Sequence, residues 1–405
     1  MGKMFFDGSY FDRLDKRYLS ETDLLVRDMV RQFVVKEILP KVADWETGKF
    51  EPYSSQEELI KNLMKRFGEL GLLGTNLNLQ KYIPGFEKAS VYSYGVIMRE
   101  LEAGDSTVRS CVSVQSALTM SAIFKYGSEA QKEKWLPLLA AGEKIGAFAL
   151  TEPQGGSDPK RMLTRAKIKD DHFVLNGAKS WITNGSIADV VVVWAVIDGN
   201  EIRGFLVELP AEGFFASDER KWAFKAGISS SLNFNGCRIF KENILPGTVI
   251  GLRSALSCLN EARFGINWGV IGAARRCFEN ALDFAREREL FGEKLVQKQL
   301  VQKKLAEMYS LIRLSQLLVY DLSKLKDENN SEIDFYETSF GKYNNVASAV
   351  RVAELAHEIR SADVFTEEDE VGRHLRNLRI VRKYEGDHDV QELIVGAAIT
   401  GEKAY

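Results

Sequence analysis

Residues 190–199 read Val190-Val191-Val192-Val193-Trp194-Ala195-Val196-Ile197-Asp198-Gly199, and Phe205-Leu206-Val207 follows after a short polar stretch. The run from Val190 to Val196 is far shorter than the ~20 apolar residues that cross a bilayer, and its β-branched content suits a buried strand. Asp-Gly between two such runs is a hairpin signal. Working outward, Phe173-Val174-Leu175 precedes this core and Leu232 to Phe240 follows it, while Asn176-Gly177, Asn184-Gly185 and Asn235-Gly236 add further turn signals. Together they predict a compact antiparallel sheet from about 146 to 248.

On both sides of that region the period is helical. Leu25, Met29 and Phe33, with Val30 and Val34, form a stripe from Thr22 to Pro40, with Asp23 in the first turn. Further helices are expected over Gln56–Gly71 and Ser90–Glu102, and Ser128 with Gln131 forms a capping box ahead of Trp135. Beyond Gly251, long helical segments run over Cys258–Glu289, Gln299–Lys326, Asp334–Ile359 and Val390–Ile399. The fold class expected is α+β in three domains: residues 1–145 all-helical, 146–249 a β-sheet domain, and 250–405 a C-terminal four-helix bundle. The long C-terminal helices carry more apolar stripe than one chain covers, which predicts a homotetramer or dimer of dimers. The acidic run Glu367-Glu368-Asp369-Glu370 reads as a solvated loop or a helix start.

Composition closes off several functions. With 405 residues, 45% hydrophobic and 27% charged, the chain belongs among ordinary globular proteins, and a net charge of -3 lacks the positive excess that binds phosphate backbones, so no nucleic-acid partner is expected. No membrane span is expected either. Cys111, Cys237, Cys258 and Cys277 form no CxxC pair, and His172, His357, His374 and His388 form no HExxH, so neither disulfides nor a metal site is expected. There is no P-loop, no GxSxG elbow and no GxGxxG after a strand. Met1 to Asp7 carry no leader pattern, which suggests the cytoplasm, with a mature mitochondrial matrix form as the alternative.

Three segments remain that can carry chemistry. Thr151-Glu152-Pro153-Gln154-Gly155-Gly156-Ser157-Asp158 is a turn-rich stretch whose backbone amides and small hydroxyls suit a polar ligand, though alone it is equally a plain loop. Trp181-Ile182-Thr183-Asn184 sets a large aromatic face two residues from a hydroxyl, which suits an extended heteroaromatic ligand; its plainer reading is a core tryptophan. Glu385, in Tyr384-Glu385-Gly386-Asp387-His388-Asp389, lies where Gly loosens the backbone between two helices; its plainer reading is a surface carboxylate.

Collinear over nearly the whole chain, these segments resemble the acyl-CoA dehydrogenase family of flavoenzymes. The resemblance is carried by Ala149-Leu150-Thr151-Glu152-Pro153 with Gly156-Ser157-Asp158, by Leu175-Asn176-Gly177 with Lys179, and by Trp181-Ile182-Thr183-Asn184-Gly185. Within the family it is similar to the glutaryl-CoA dehydrogenases through Arg109-Ser110 with Ser113-Val114-Gln115-Ser116, Ser157-Asp158-Pro159, Arg263 with Gly265 and Trp268-Gly269, Gln299-Leu300 with Gln302 to Ala306, and Ala398-Ile399-Thr400-Gly401. The resemblance implies FAD as cofactor and Glu385 as the base that removes the α-proton of an acyl thioester. It implies Thr151 and Thr183 binding the isoalloxazine with Trp181 flanking it, Phe148, Leu150 and Ser157 as further cofactor-binding residues, and Ser157 also holding the pantetheine chain. Arg109 and Ser110, with Glu102 nearby, would receive a distal carboxylate, Asn260 and Arg263 would lie near the thioester, and Ser113 and Tyr384 are further substrate-binding positions. Arg288 and Phe291 would reach the ADP half of a neighbouring subunit's FAD. The activity implied is dehydrogenation and decarboxylation of glutaryl-CoA, or a similar dicarboxylic acyl-CoA, to an enoyl-CoA such as crotonyl-CoA, with an electron-transfer flavoprotein as acceptor.

The chain departs from the family where it reads Arg360-Ser361-Ala362-Asp363-Val364 in place of Leu-Gly-Gly-Asn-Gly, and at Leu290, Asp387 and Lys225. These departures predict a weakened FAD site. They also define a second reading: a diverged relative without FAD, acting as a non-redox acyl-CoA lyase or isomerase through Glu385, or as an acyl-CoA-binding pseudoenzyme.

Overall fold

In the computed structural model, which describes residues 9–199, 201–330 and 332–402, the change of sequence period near residue 146 is a change of secondary structure. The Met1–Asp7 segment read for a leader lies outside the described residues. Helices α1 (Ser9–Tyr18), α2 (Glu21–Phe33), α3 (Val42–Glu46), α4 (Gln56–Glu69), α5 (Val91–Gly104), α6 (Ser106–Ser113), α7 (Ser121–Tyr126) and α8 (Glu129–Ala140) come first. Strands β1 (Gly146–Ala149), β2 (Arg165–Lys169), β3 (His172–Thr183), β4 (Val190–Val196), β5 (Ile202–Glu208), β6 (Phe214–Asp218) and β7 (Ser229–Phe240) follow. Helices α9 (Leu252–Glu287), α10 (Gln299–Glu328), α11 (Phe335–Arg360), α12 (Glu370–Val381) and α13 (His388–Thr400) complete the chain. The capping box expected at Ser128 and Gln131 is present at the start of α8. The fold is α+β, helical then sheet then helical.

The chain divides into two compact units. The first takes the described residues of Met1–Thr47, Ser90–Arg109 and Arg263–Tyr405. In it α10 packs on α11, and α11 on α12 and α13, so that α11 is central to the bundle. Where α5 crosses α9 the backbones approach closely: a Cβ at Gly95 would lie 2.4 Å from the Trp268 ring, and one at Gly272 would lie 1.9 Å from the Arg99 carbonyl oxygen. One expectation needs correction here, and one is narrowed. Helix α2 buries Asp23, Arg27, Val30 and Phe33, while Leu25 is 71% exposed and Met29 is exposed too. Hydrogen bonds turn the helix: Asp23 accepts from Ser90 (2.5 Å) and Ser93 (2.6 Å), and Arg27 donates to Asp15 (3.1 Å), so the buried polar groups set the face. The acidic run resolves to a helix start: the Asp369 side chain caps α12 by accepting from Gly372 N (2.8 Å), and Glu370 is tied to Arg276 at 2.7 Å.

The second unit takes Gly48–Ala89 and Ser110–Ala262. Its sheet runs β1-β4-β2-β3-β7-β6, with β5 pairing β4. It is mixed rather than wholly antiparallel, because β1 and β2 both run parallel to β4. The β2–β3 hairpin intervenes before the chain returns beside β1, and such a crossover returns the strand in parallel. All residues of β4 are buried because they serve two cores. Val190, Val192, Trp194 and Val196 join the core that includes Trp135, Leu136 and Leu139 of α8, while Val191, Val193 and Ala195 join Phe173, Phe205 and Ile239 on the other face. Asn184-Gly185 and Asp198-Gly199 are turns as expected. Asn176-Gly177 and Asn235-Gly236 are not. They lie inside β3 and β7, where the register shifts between Leu175 and Gly177 and Gly236 N donates to Asn176 Oδ1 at 2.8 Å. Gly177 (φ 145°) and Gly236 (φ 66°) supply the backbone angles this bulge requires.

Candidate active site

The first unit gathers five of the expected site residues. Helix α12 ends at Val381, and before α13 starts at His388 the chain passes through Tyr384, Glu385 and Gly386. Glu385 (φ 53°) and Gly386 (φ 95°) are both left-handed, so this turn cannot continue the helical hydrogen bonding. Its carbonyls go to side chains instead. Lys342 Nζ donates to Tyr384 O (2.6 Å) and Gly386 O (2.5 Å), Arg263 Nε to Glu385 O (2.8 Å), and Gln391 Nε2 to Gly386 O (3.0 Å). The Glu385 Oε2 atom is buried without a hydrogen-bond partner. Burial pushes the Glu385 carboxyl above its ordinary range, opposed by Arg109, Lys342 and Arg263. The surface carboxylate reading of Glu385 is therefore wrong: the left-handed turn aims it inward.

Helix α6 supplies Arg109 and α5 supplies Glu102. Arg109 Nε donates to Glu102 Oε2 at 2.7 Å, Ser106 Oγ to Glu102 Oε1 at 2.9 Å, and Arg109 Nη2 to the Tyr384 hydroxyl. The guanidinium lies 5.7 Å from the Tyr384 ring centre. Arg109 is fully buried, and its Nη1 has no partner. Burial opposes its charge, but Glu102 and then Tyr384 outweigh that and raise its pKa. A buried cation with an open donor beside a half-buried carboxylate with one buried, open oxygen is a site with one place for an anion and one for a proton. Asp387, which adds negative charge to this turn, is paired with Lys383 at 2.8 Å, and that pairing outweighs its partial desolvation and holds it below the usual range.

In the second unit, β1 leads through Phe148 and Leu150, whose side chains lie in the core, to Thr151. The next residue, Glu152, is buried and accepts from Leu163 N (2.5 Å), Thr164 N (2.9 Å) and Lys179 Nζ (2.9 Å). Against the desolvation of its site, these donors hold Glu152 down to about 2. Lys179 Nζ also donates to Leu150 O (3.0 Å), and Ser180 N donates to Thr151 O (2.9 Å), so Thr151 is stitched to β3. Burial brings Lys179 down to about 8 even with Glu152 beside it. A second irregularity in β3, between Lys179 and Ile182, turns Trp181 (φ 62°) outward, 63% exposed, two residues from Thr183. The core tryptophan reading is thus incorrect, and an exposed indole beside a tethered threonine suits a flat heteroaromatic ligand.

The other expected residues are more dispersed. Ser157 is exposed in the loop after Gly156; Ser110, Ser113 and Asn260 are buried on α6 and α9, the Ser113 hydroxyl without a partner. Arg288 and Phe291 belong to a small hairpin, Glu289–Leu290 with Glu293–Lys294, where Phe291 is 96% exposed. Ser361 has φ 59° and ψ −127°, a conformation ordinarily left to glycine, so the turn persists there without one. Lys342 and Gln391 were not anticipated. The available signal was a lysine at helical spacing with Thr338, Gly341, Asn345 and Val346 on one face of α11, all buried. Among the described residues no three His, Cys, Asp or Glu side chains group as metal ligands, and no helix is long and apolar enough to cross a membrane.

Residues 20–143, 147–237 and 250–400 match the families described as acyl-CoA dehydrogenase, N-terminal, middle and C-terminal domain. The short-chain specific acyl-CoA dehydrogenase of Rattus norvegicus mitochondria is 32% identical over 382 residues, covering 93% of this chain and 90% of that one. Among solved structures, glutaryl-CoA dehydrogenase from Mycobacterium smegmatis is 42% identical with a TM-score of 0.90, over 96% of this chain and 97% of that chain. A glutaryl-CoA dehydrogenase from the same organism in complex with FADH2 is 40% identical with a TM-score of 0.89, over the same shares. With N-terminal, middle and C-terminal domain matches in order over most of its length, this chain belongs to the acyl-CoA dehydrogenase family.

Proposed function

We propose that the protein is a FAD-dependent acyl-CoA dehydrogenase of the glutaryl-CoA type, which oxidises and decarboxylates a dicarboxylic acyl-CoA to an enoyl-CoA. The observation that carries this reading is the buried Arg109, held on one side by Glu102 and left with an open Nη1 in the cluster that contains Glu385. A desolvated guanidinium with an unused donor favours a ligand carboxylate, and an uncharged acyl chain leaves it unsatisfied. The glutaryl-CoA dehydrogenase neighbours support the choice, while the short-chain relative makes butyryl-CoA the natural competitor.

The second unit fits a flavin ring: Trp181 presents its face, Thr151 and Thr183 present hydroxyl-bearing residues beside it, and the Glu152–Lys179 pair fixes the loop that carries Thr151. When bound, FAD supplies the two-electron acceptor for the β-hydrogen. Glu385 takes the α-proton at Oε2: the α C–H bond breaks, the proton passes to the carboxylate, and the electron pair of that bond forms the new double bond as the β-hydrogen leaves with the pair of its own bond. Arg109 holds the distal carboxylate until the C–C bond to it breaks and CO2 leaves; the electron pair of that bond stays on the acyl chain, which takes the proton back from Glu385 to give the enoyl-CoA. Asn260 and Arg263 lie with the thioester in this reading, Ser157 with the pantetheine chain, and Ser110 and Ser113 beside the distal carboxylate.

At the ADP end the proposal is weaker retention of FAD, because Ser361 to Val364 and Leu290 replace residues that suit a pyrophosphate; Arg288 and Phe291 remain to serve a neighbouring subunit. A homotetramer, an electron-transfer flavoprotein as acceptor, domain boundaries near 146 and 250, and the cytoplasm (or the mitochondrial matrix for a mature form) complete the reading.

The test compares kcat/KM for glutaryl-CoA and butyryl-CoA in the wild type and in Arg109→Gln. Loss of a buried, paired guanidinium is expected to lower the glutaryl-CoA value by 10²- to 10³-fold, about 3–4 kcal/mol, and the butyryl-CoA value by less than tenfold. Equal turnover of both substrates, unchanged in the variant, would refute the assignment.

A further inference from the structure

The three consecutive carbonyl oxygens of Tyr384, Glu385 and Gly386 accept hydrogen bonds from three side chains on three different helices, Lys342 of α11, Arg263 of α9 and Gln391 of α13. Such a set is unusual, since helix-flanking carbonyls normally bond to water or to a backbone cap. Lys342 is the centre of it. It spans the turn, bonding the residue before Glu385 and the residue after it, and it is 1% exposed on the packed face of α11. Burying an amine in a helix bundle is unfavourable unless its hydrogens are taken up, and here two of them are taken up by the turn that carries the carboxylate.

We propose that Lys342 is the positioning residue for Glu385: by clamping the Tyr384 and Gly386 carbonyls it holds Glu385 in its left-handed conformation and so fixes the direction of its carboxylate. This inference rests on reading Glu385 as the base. Gln391 is a secondary clamp on the Gly386 carbonyl, and Arg263 holds the carbonyl between them. Burial, then Arg263, brings Lys342 down to about 7, against the pull of Glu385 and Asp387. Ammonium and neutral amine both retain two N–H groups for the two carbonyls, so the clamp persists across that titration. A simple countercharge to Glu385 would be lost with the proton.

The experiment follows α-proton exchange of glutaryl-CoA into deuterated water by NMR, on the full-length FAD-loaded protein without an electron acceptor. It is run beside the Kd of crotonyl-CoA and the Tm. Lys342→Met removes both donors, while Lys342→Gln removes the charge and keeps an amide with two N–H groups. The expected result is an exchange rate at least about 50-fold lower in Lys342→Met with Kd changed less than threefold, and at least fivefold higher in Lys342→Gln than in Lys342→Met. Equal loss in both variants, or near-wild-type exchange in Lys342→Met, overturns the clamp. If Lys342→Met does not fold, Gln391→Leu carries the test: a threefold or greater fall in exchange at unchanged Kd supports the clamp, and an unchanged rate overturns it. Glu385→Gln separates the two levels. If that variant exchanges like wild type, the base lies elsewhere and the functional reading fails; if it is inactive while Lys342→Met exchanges normally, only the positioning role fails.

Discussion

Glu385 combines two opposing influences. Burial raises its pKa, and the cations Arg109, Lys342 and Arg263 lower it, with burial prevailing. Glu102 adds to the upward pressure. A base acts only when ionised, so kcat/KM should rise with pH through an apparent pKa above the ordinary 4.5. Removing a cation that lowers this pKa moves it further up, and Arg109→Gln should therefore shift the ascending limb to higher pH. The measurement is the pH profile of kcat/KM for butyryl-CoA, which does not need the distal carboxylate contact. A limb that stayed in place, or moved to lower pH, would show that Arg109 does not act on Glu385. This residue was named from the sequence by its motif, but its burial was not legible there. A left-handed glutamate cannot be read from residue type, and the donors that hold its turn come from segments up to 122 residues away. Ser361 makes the same point in reverse: the missing glycine was legible, but not that serine would take up a glycine-like conformation there, at φ 59°.

At the scale of elements, α5 and α9 cross through glycine, and the crossing bears on the site. A Cβ at Gly269 would lie 2.1 Å from Glu102 Oε2 and 3.3 Å from Arg109 Nε, whereas one at Gly272 would meet only backbone, 1.9 Å from Arg99 O. Both substitutions to alanine should overpack the crossing, at about 1–3 kcal/mol each. They should differ in function: Gly269→Ala displaces Glu102 and lowers glutaryl-CoA selectivity over butyryl-CoA about tenfold, while Gly272→Ala lowers Tm and leaves selectivity within about twofold. Thermal melts give the stability loss and the kcat/KM ratio for the two substrates gives the selectivity; equal selectivity in both variants would contradict the coupling. What the sequence revealed at this scale follows the strength of local patterns. The Val190–Val196 run was legible because a strand buried on both faces is apolar throughout. The face of α2 was not, because buried Asp23 and Arg27 are paired with residues of other helices. The two Asn-Gly pairs that form a bulge instead of turns were misread because their positive φ serves either geometry, and the choice depends on the strand opposite.

For the molecule as a whole, the order of helical, sheet and helical segments was readable from period alone, and membership of the acyl-CoA dehydrogenase family follows from three domain matches over most of the chain. The parallel strands were less legible, since Asp-Gly signals mark hairpins but not the crossover that returns β4 to β1. If the chain oxidises a dicarboxylic acyl-CoA as proposed, it also releases the distal carboxylate as CO2. The most direct measurement incubates the FAD-supplemented protein with glutaryl-CoA labelled at the distal carboxyl carbon and an artificial electron acceptor, then quantifies labelled CO2 and crotonyl-CoA. The account predicts equal amounts of both, formed in step with reduction of the acceptor; oxidation of butyryl-CoA with no CO2 released from glutaryl-CoA would contradict it.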